Sequence, residues 1–219
     1  MITGVRGLYV IADTGLAGFA GSLAGTVEAA LRGGAAAVQY RNKHVMTAAR
    51  EAELAVIQRL CRGFGVPLII NDDVGLAREL GADGVHLGRD DMDIGEARRV
   101  LGAGRLIGAS CYNQLPRALW ARANGADYVA FGSFFASTTK PEAVRAERSL
   151  LTRARAAVDT PIVAIGGITP ENGGDLVAAG ADALAVAGGV IAQTDPEACA
   201  RAYAGLFSNG RNKRSTASP

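Results

Sequence analysis

The sequence predicts a single-domain α/β fold, a (β/α)8 TIM barrel, from three observations. A phrase that begins Gly-Ala, and continues with Asp in three of its four copies, starts at Gly34, Gly81, Gly125 and Gly180, each time before an apolar run. The copies lie about two strand–helix units apart, and further strand-like runs lie before and between them. Apolar patterns of helical period separate the runs. Eight such units in one chain predict a closed barrel of parallel strands.

The eight runs are β-branched or apolar, and each ends in polar residues or glycine. In chain order they are GLYVIAD from Gly7, AVQYRNK, PLIIND from Pro67, GVHLGRDD, LIGASC from Leu106, YVAFGSFF, PIVAIGG from Pro161 and ALAVAGGV. In barrels of this type the loops at the carboxyl ends of the strands form the active site. The residues that finish each run are therefore the candidates for function.

The length and composition fit one lean barrel. The chain has 219 residues, of which 49% are hydrophobic and 5% aromatic, and a domain of this size buries roughly 70% of its unfolded surface. We expect the barrel over residues 1–207 and a basic, disordered tail over residues 208–219. Without the tail's Arg211, Lys213 and Arg214, the formal charge of +2 becomes slightly negative. The body therefore lacks the clustered charge of a nucleic-acid-binding face.

Membrane insertion and secretion are not expected. No apolar run approaches the ~20 residues that cross a bilayer, and the first residues lead into the first strand without the charged start and cleavage site of a signal peptide. Cys61, Cys111 and Cys199 form no Cys-x-x-Cys pair, which favours reduced thiols over disulfides or a zinc site. These features predict a cytoplasmic protein.

The second strand carries Gln39, Arg41 and Lys43 at alternate positions, so the three side chains project to one side. Two cations at inward positions of a barrel strand are costly unless an anion meets them. The alternative is an exposed strand end with ordinary surface charges. We favour an anion site.

The third and fourth strands end in carboxylates. Asp72 follows Asn71 at the end of the third run, and Asp91 follows the fourth. Hard oxygen ligands on adjacent strand ends are typical of a Mg2+ site that leaves positions for water and phosphate oxygens. The alternative is that such residues cap helices, which is a sufficient role for Asp73 or Asp93.

The remaining strand ends offer hydroxyls, glycines and one lysine. Ser110 ends the fifth run, where a lone serine is weak evidence, and His86 on the fourth is more typical of a packed barrel residue than of a catalyst. Polar side chains and paired glycines follow the sixth to eighth runs, namely Ser137, Thr138, Thr139, Lys140, Gly166, Gly167, Gly188 and Gly189. Such loops bind phosphate in many barrels, although glycines also serve simply to make turns. Two anion sites, and so two phosphorylated substrates, are implied.

Taken together, these motifs resemble the thiamine-phosphate synthase family. The pieces are Q-x-R-x-K, N-D, GADGVHLG-x-x-D, G-x-S, GADYVAFGSFF with S-x-T-K, and IGGI, which occur in this order from about Gly7 to Ala192. The resemblance implies a transferase that joins 4-amino-2-methyl-5-hydroxymethylpyrimidine diphosphate to a thiazole phosphate and releases pyrophosphate. It implies Mg2+ as cofactor and small phosphorylated molecules as partners, without nucleic acid or membrane. A homo-oligomer is compatible with the sequence.

The resemblance also implies a role for each matching residue. The residues implied for the pyrimidine diphosphate are Gln39, Arg41, Lys43, Asn71, Ser110 and Lys140, those for Mg2+ are Asp72 and Asp91, and those for the thiazole phosphate are Ser137, Thr138, Thr139, Gly167, Ala187 and Gly188. Lys140, Arg41 and Lys43 would stabilise the leaving pyrophosphate. Asn42, Arg89, Ala136-Ser137 and Gly188 depart from the commoner pattern of the family, but none of them removes a cation or a carboxylate.

Three other functions fit the sequence less well. A thiazole tautomerase of the same superfamily would need a well-placed histidine, whereas the chain has only His44 and His86, and Tyr112 stands where many relatives have histidine. A non-catalytic phosphate sensor would lack either the cations or the carboxylates. A sugar-phosphate isomerase or epimerase would need an acid/base pair at facing strand ends, and none is apparent.

Overall fold

The computed structural model of the chain describes residues 5–16, 22–136 and 144–208. Eight parallel strands close into a barrel in chain order, which confirms the predicted fold. The strands are β1 Gly7–Asp13, β2 Ala35–Arg41, β3 Leu68–Asn71, β4 Gly84–Leu87, β5 Leu106–Tyr112, β6 Tyr128–Phe131, β7 Ile162–Ile165 and β8 Ala183–Val186. Each coincides with one of the eight predicted runs.

Helices follow the strands and cover the outside of the barrel. They are α1 Leu23–Arg32, α2 Ala48–Phe64, α3 Val74–Glu79, α4 Ile94–Leu101, α5 Leu115–Ala123, α6 Ser149–Ala157, α7 Pro170–Ala178, α8 Gly188–Ile191 and α9 Pro196–Ser208. No helix in these described ranges is long and apolar enough to cross a membrane. Helix α9 ends at Ser208, and the rest of the predicted tail lies outside the described residues.

Alternate strand residues build two apolar layers. One set packs outward against the helices, and the other fills the barrel interior. The interior set comprises Tyr9, Ile11, Ala37, Ile69, Leu106, Tyr128, Ala130, Val163, Ala183 and Ala185, joined by Val5 from just before β1. Buried Gln39 and His86 also belong to strands β2 and β4, so the interior contains a polar belt as well as an apolar one.

The repeated phrase has a structural role at the amino ends of the strands. The aspartates of the later three copies, Asp83, Asp127 and Asp182, each accept a hydrogen bond from a backbone N–H at the start of the preceding strand, with N···O distances of 2.9, 2.7 and 2.9 Å. Each aspartate therefore fixes one strand start, at the barrel end opposite to the loops that follow the strands. The first copy has Ala36 at this position and makes no such bond.

The helix-capping alternative is confirmed for two of the aspartates. The side chain of Asp73 accepts a hydrogen bond from a first-turn N–H of α3 at 2.8 Å. That of Asp93 accepts two from the first turn of α4, at 2.9 and 3.2 Å. Capping of this kind stabilises a helix by typically ~1 kcal/mol. These two carboxylates are thereby engaged in the fold, whereas Asp72 and Asp91 cap no helix.

Gly108 makes room for Tyr128, one of the two tyrosines of the barrel interior. A Cβ at this position would lie far inside van der Waals contact of the Tyr128 ring and hydroxyl on the neighbouring strand. Tyr128 is fully buried and therefore has no solvent space into which it can move. The tyrosine on β6 and the glycine on β5 are a matched pair.

We expect Gly108→Ala to lower the free energy of unfolding by about 1–3 kcal/mol, because the added methyl overpacks the interior. Gly63→Ala is the matched control, since Gly63 lies in α2 with no atom within 4 Å of an added Cβ. It should be neutral or stabilising by up to ~1 kcal/mol. Urea unfolding measures both. Equal stability of the two variants would contradict this description of the interior.

Candidate active site

The carboxyl end of the barrel gathers charged side chains from the first four strands. Arg41, the last residue of β2, forms an ion pair with Asp13, the last residue of β1. Asp13 is 4% exposed, and its second oxygen accepts a hydrogen bond from the backbone N–H of Gly15 at 2.9 Å. A nearly buried carboxylate needs such partners. The pair holds one edge of the Arg41 guanidinium in a fixed position.

Lys43 pairs with the predicted metal ligand Asp72 on the next strand end. Asp72 has a backbone φ of 64°, an uncommon left-handed conformation that Asp tolerates better than most residues. Its N–H donates to the carbonyl of His86 at 2.9 Å. This turn directs the Asp72 carboxylate toward both Lys43 and the β4 loop.

The carboxyl groups of Asp72 and Asp91, from adjacent strand ends, lie close enough to shift each other's pKa. Burial and the neighbouring Asp72 carboxylate raise the pKa of Asp91, although a hydrogen bond from the backbone N–H of Gly88 opposes this shift. Burial would also raise the pKa of Asp72, but the hydrogen bond and charge of Lys43, together with the hydrogen bond to Asp91, lower it. Two carboxyl groups therefore compete for one cationic partner.

Two neighbouring carboxylates beside a single lysine form a suitable site for a divalent cation. Hard carboxylate oxygens are ligands that Mg2+ prefers, and Mg2+ usually takes only one or two carboxylates together with waters and substrate phosphates. In the described part of the chain, no three His, Cys, Asp or Glu side chains gather around one point. A Mg2+ at Asp72 and Asp91 would thus have two protein ligands and open positions for phosphate oxygens.

Gln39 and Ser110 extend the site into the barrel. Gln39 is 4% exposed and donates from Nε2 to the Tyr9 hydroxyl at 2.8 Å. The half-buried Ser110 hydroxyl lies 2.9 Å from Nε2 of His86. Asn71 is half-buried at the end of β3, the strand between β2 and β4. The predicted binding residues of β2 to β5 thus lie at or just below one end of the barrel.

Contacts between aromatic and basic side chains connect the loops that follow β4 and β5. Arg117 donates to the carbonyls of Ser110 and Gly88, at 2.7 and 3.0 Å. The Arg89 guanidinium lies 4.9 Å from the centre of the Tyr112 ring, and the Tyr112 hydroxyl accepts from the Arg89 N–H at 3.3 Å. Arg89 and Tyr112 therefore contact each other through both the ring and the hydroxyl of the tyrosine.

The predicted thiazole-phosphate residues fall into two groups. Ser137, Thr138 and Thr139, and the predicted pyrophosphate-binding Lys140, lie outside the described residues. Gly167 follows β7 with a φ of 60°, and a Cβ there would overlap the backbone of Ala136 in the β6 loop. The half-buried Ala187 and Gly188 lead from β8 into the four-residue helix α8. Glycine at 167 is thus required by the close approach of two loops.

Three buried polar residues of this region have no counterpart among the residues singled out from the sequence. They are Asp13, Tyr9 and Tyr128. Asp13 is the polar residue that ends the first run, so its position is a signal comparable to that of Asp72. The tyrosines stand at inward positions of mainly apolar strands, and only the closed barrel shows that their hydroxyls meet, at 2.9 Å.

A family model described as thiamine monophosphate synthase (TMP-TENI) matches residues 8–190. The chain belongs to this family. All eight strands lie within or at the edge of the matched range, so the family assignment covers the whole barrel and all of the predicted site residues.

Individual relatives agree with the family. The thiamine-phosphate synthase of Nitrosococcus oceani is 52% identical over 203 residues, which are 93% of each chain. The thiamine-phosphate synthase of an Azoarcus species is 53% identical over 203 residues, which are 93% of this chain and 98% of its own. The solved thiamine phosphate pyrophosphorylase from Pyrococcus furiosus superposes with a TM-score of 0.84 at 31% identity, covering 94% of this chain and 97% of its own.

Proposed function

We propose that this family member is a Mg2+-dependent thiamine-phosphate synthase that uses the pyrimidine diphosphate and a thiazole phosphate and releases pyrophosphate. The general activity is the condensation of a pyrimidine and a thiazole to thiamine phosphate. It follows from the family and from relatives that are about half identical over nearly the whole chain. The observation that carries the finer proposal is the meeting of Arg41, Lys43, Asp72 and Asp91 on neighbouring strand ends.

The diphosphate is proposed to bind between the β2 cations and the two carboxylates. Asp13 occupies one guanidinium nitrogen of Arg41 and leaves the remaining N–H groups for phosphate oxygens, which a guanidinium binds in a fixed fork. Lys43 is 54% exposed at its side chain, so it is free to turn from Asp72 toward a phosphate. At about 4 Å and an effective dielectric near 20, one such contact amounts to roughly 4 kcal/mol of Coulomb energy.

Asp72 and Asp91 are proposed to hold Mg2+. When bound, the ion would neutralise charge on the diphosphate and stabilise it as a leaving group. The exchange of partners is balanced in charge: Asp72 would give up its ammonium partner for the metal, and Lys43 would give up its carboxylate for a phosphate. The site would therefore bind metal and diphosphate together more strongly than either alone.

The reaction needs alignment and charge stabilisation rather than a side-chain nucleophile. The bond between the pyrimidine methylene carbon and the diphosphate oxygen breaks, with the electron pair leaving on pyrophosphate, and the thiazole nitrogen then forms the new bond to that carbon. The electron-rich aminopyrimidine stabilises the intervening cation. Arg41 and Lys43 are proposed to hold the leaving group. Gln39, Asn71 and Ser110 are proposed to orient the ring. Only interactions that strengthen as the bond breaks raise the rate.

The remaining roles are carried over from the family pattern. Lys140 is proposed to meet the leaving pyrophosphate from the β6 loop. The thiazole phosphate is proposed to bind to residues of the last three loops, namely Ser137, Thr138, Thr139, Gly167, Ala187 and Gly188. Because Gly188 has no hydroxyl, contact at this position would come from its backbone N–H.

The environment of the histidines does not favour a thiazole tautomerase activity. Nδ1 and Nε2 of the buried His86 are engaged by Tyr128 and Ser110, at 3.1 and 2.9 Å. His44 is exposed in the loop after β2. Proton transfer on a thiazole would need an imidazole nitrogen directed at the substrate.

The protein is proposed to be cytoplasmic. The free thiols of Cys61, Cys111 and Cys199 support a reducing compartment of this kind.

The direct test is to incubate the purified chain with both substrates and Mg2+. We expect thiamine phosphate and an equal amount of pyrophosphate, and an excess of chelator should abolish both. No product from folded protein would contradict the synthase activity. Full turnover in the presence of chelator would contradict the metal requirement alone.

The carboxylate pair is tested by Asp91→Asn, which keeps the size of the side chain and removes its charge. We expect the Mg2+ concentration for half-maximal activity to rise by about tenfold or more, since one of two anionic ligands is lost. Asp90→Asn is the matched control, because Asp90 is the exposed neighbouring carboxylate. A titration of activity against Mg2+ measures both. If Asp91→Asn and the parent titrate alike, Asp91 is not a metal ligand.

A further inference from the structure

A continuous chain of hydrogen bonds crosses the barrel interior and connects two of the proposed pyrimidine-binding residues. Gln39 Nε2 donates to the Tyr9 hydroxyl at 2.8 Å, and the Tyr9 and Tyr128 hydroxyls are 2.9 Å apart. The Tyr128 hydroxyl lies 3.1 Å from Nδ1 of His86, whose Nε2 lies 2.9 Å from the Ser110 hydroxyl. Five strands contribute one residue each, and the two ends of the chain are Gln39 and Ser110.

The two tyrosines are built into the barrel rather than attached to its surface. Both are buried, at 1% and 0% exposure, and their rings meet edge to face with centroids 6.0 Å apart. Burial raises the pKa of Tyr9, and burial together with the nearby Tyr9 raises that of Tyr128 well above its ordinary value. Both hydroxyls therefore keep their proton, and each has one hydrogen to donate.

The positions of these hydrogens fix which group donates and which accepts in each hydrogen bond of the series, and so give it a direction. Because the Gln39 amide donates to the Tyr9 oxygen, the Tyr9 hydrogen is left for the partner that the described structure provides, the Tyr128 oxygen. The Tyr128 hydrogen then goes to Nδ1 of His86. A neutral imidazole that accepts at Nδ1 donates at Nε2, so His86 donates to the Ser110 oxygen. Ser110 keeps its own hydrogen to donate elsewhere.

We propose that Tyr9 and Tyr128 are positioning residues that fix this direction, so that Gln39 presents an amide oxygen and Ser110 a hydroxyl hydrogen to the pyrimidine. The inference rests on the proposed roles of Gln39 and Ser110 as pyrimidine-binding residues. A 4-aminopyrimidine offers a donor at its amino group and acceptors at its ring nitrogens, which is the complement of this pair. A 4-oxo ring, with an acceptor oxygen beside a ring N–H, offers the reverse. This series of hydrogen bonds, the relay, would thus select the amino form of the pyrimidine.

The tautomer of His86 tests the direction without any substrate. The chain has two histidines, and His44 is exposed, so a long-range 1H–15N spectrum of protein labelled at histidine contains two rings to assign. At alkaline pH, we expect His86 in the Nε2–H form in the parent. Tyr128→Phe should shift His86 toward a mixture of tautomers. A parent His86 protonated at Nδ1 would overturn the proposal.

Binding then tests the consequence for specificity. Dissociation constants are measured for the 4-amino and 4-oxo pyrimidine diphosphates. Binding is measured rather than turnover, because the two rings differ in reactivity. We expect the preference of the parent for the amino ring to fall by about 3- to 10-fold in Tyr9→Phe and Tyr128→Phe, corresponding to one hydrogen bond. Affinity for thiazole phosphate should stay within about twofold. A general loss of structure would weaken both rings alike, and that result would contradict the proposal.

Tyr40→Phe is the matched control. Tyr40 is also a buried strand tyrosine, at 1% exposure, but its hydroxyl has no hydrogen-bond partner in the described part of the protein. The variant should keep both the His86 tautomer and the amino preference. If the parent binds neither pyrimidine, the proposed binding site is wrong and the specificity claim falls with it, while the tautomer spectrum still decides the direction of the relay.

Discussion

Opposite charges on neighbouring strand ends are the interaction on which the rest of this site depends. A barrel brings strand ends close together, and a charge that faces the interior at that point must find a partner. Asp13 with Arg41, and Asp72 with Lys43, meet this need across the β1–β2 and β2–β3 boundaries. Asp91 adds a second carboxylate beside the pair of Asp72 and Lys43. Among the described residues, Asp91 forms no ion pair, so its carboxylate has no cationic partner of its own and suits a metal ion.

The two ends of the barrel have separate roles. At the amino ends, the aspartates of the repeated phrase bind backbone N–H groups and fix the strand starts. At the carboxyl ends, charged side chains of neighbouring strand ends form ion pairs, Asp13 with Arg41 and Asp72 with Lys43. Between these ends, a belt of tyrosine, histidine and glutamine side chains replaces part of the apolar core. Stability and function are thus carried by different layers of the same strands.

Much of this architecture could be predicted from the sequence because it is local. The strand runs, the repeat and the capping roles of Asp73 and Asp93 depend on neighbours within a few positions. The Asp72–Asp91 pair was also predictable, since adjacent parallel strands end at the same edge. The tyrosine pair was not, because its partners are 119 residues apart and meet only when the barrel closes. The pairing of Arg41 with Asp13 depends on the register of β1 against β2, which places the two residues opposite each other.

The exchange of partners at the strand ends is tested most directly by a crystal structure of the chain with Mg2+ and the pyrimidine diphosphate. The account predicts oxygens of Asp72 and Asp91 at about 2.1 Å from one metal ion, Lys43 turned from Asp72 onto a phosphate oxygen, and Arg41 still paired with Asp13 while its other nitrogens contact the diphosphate. A complex in which Lys43 remains on Asp72 and the metal binds without Asp72 or Asp91 would contradict it.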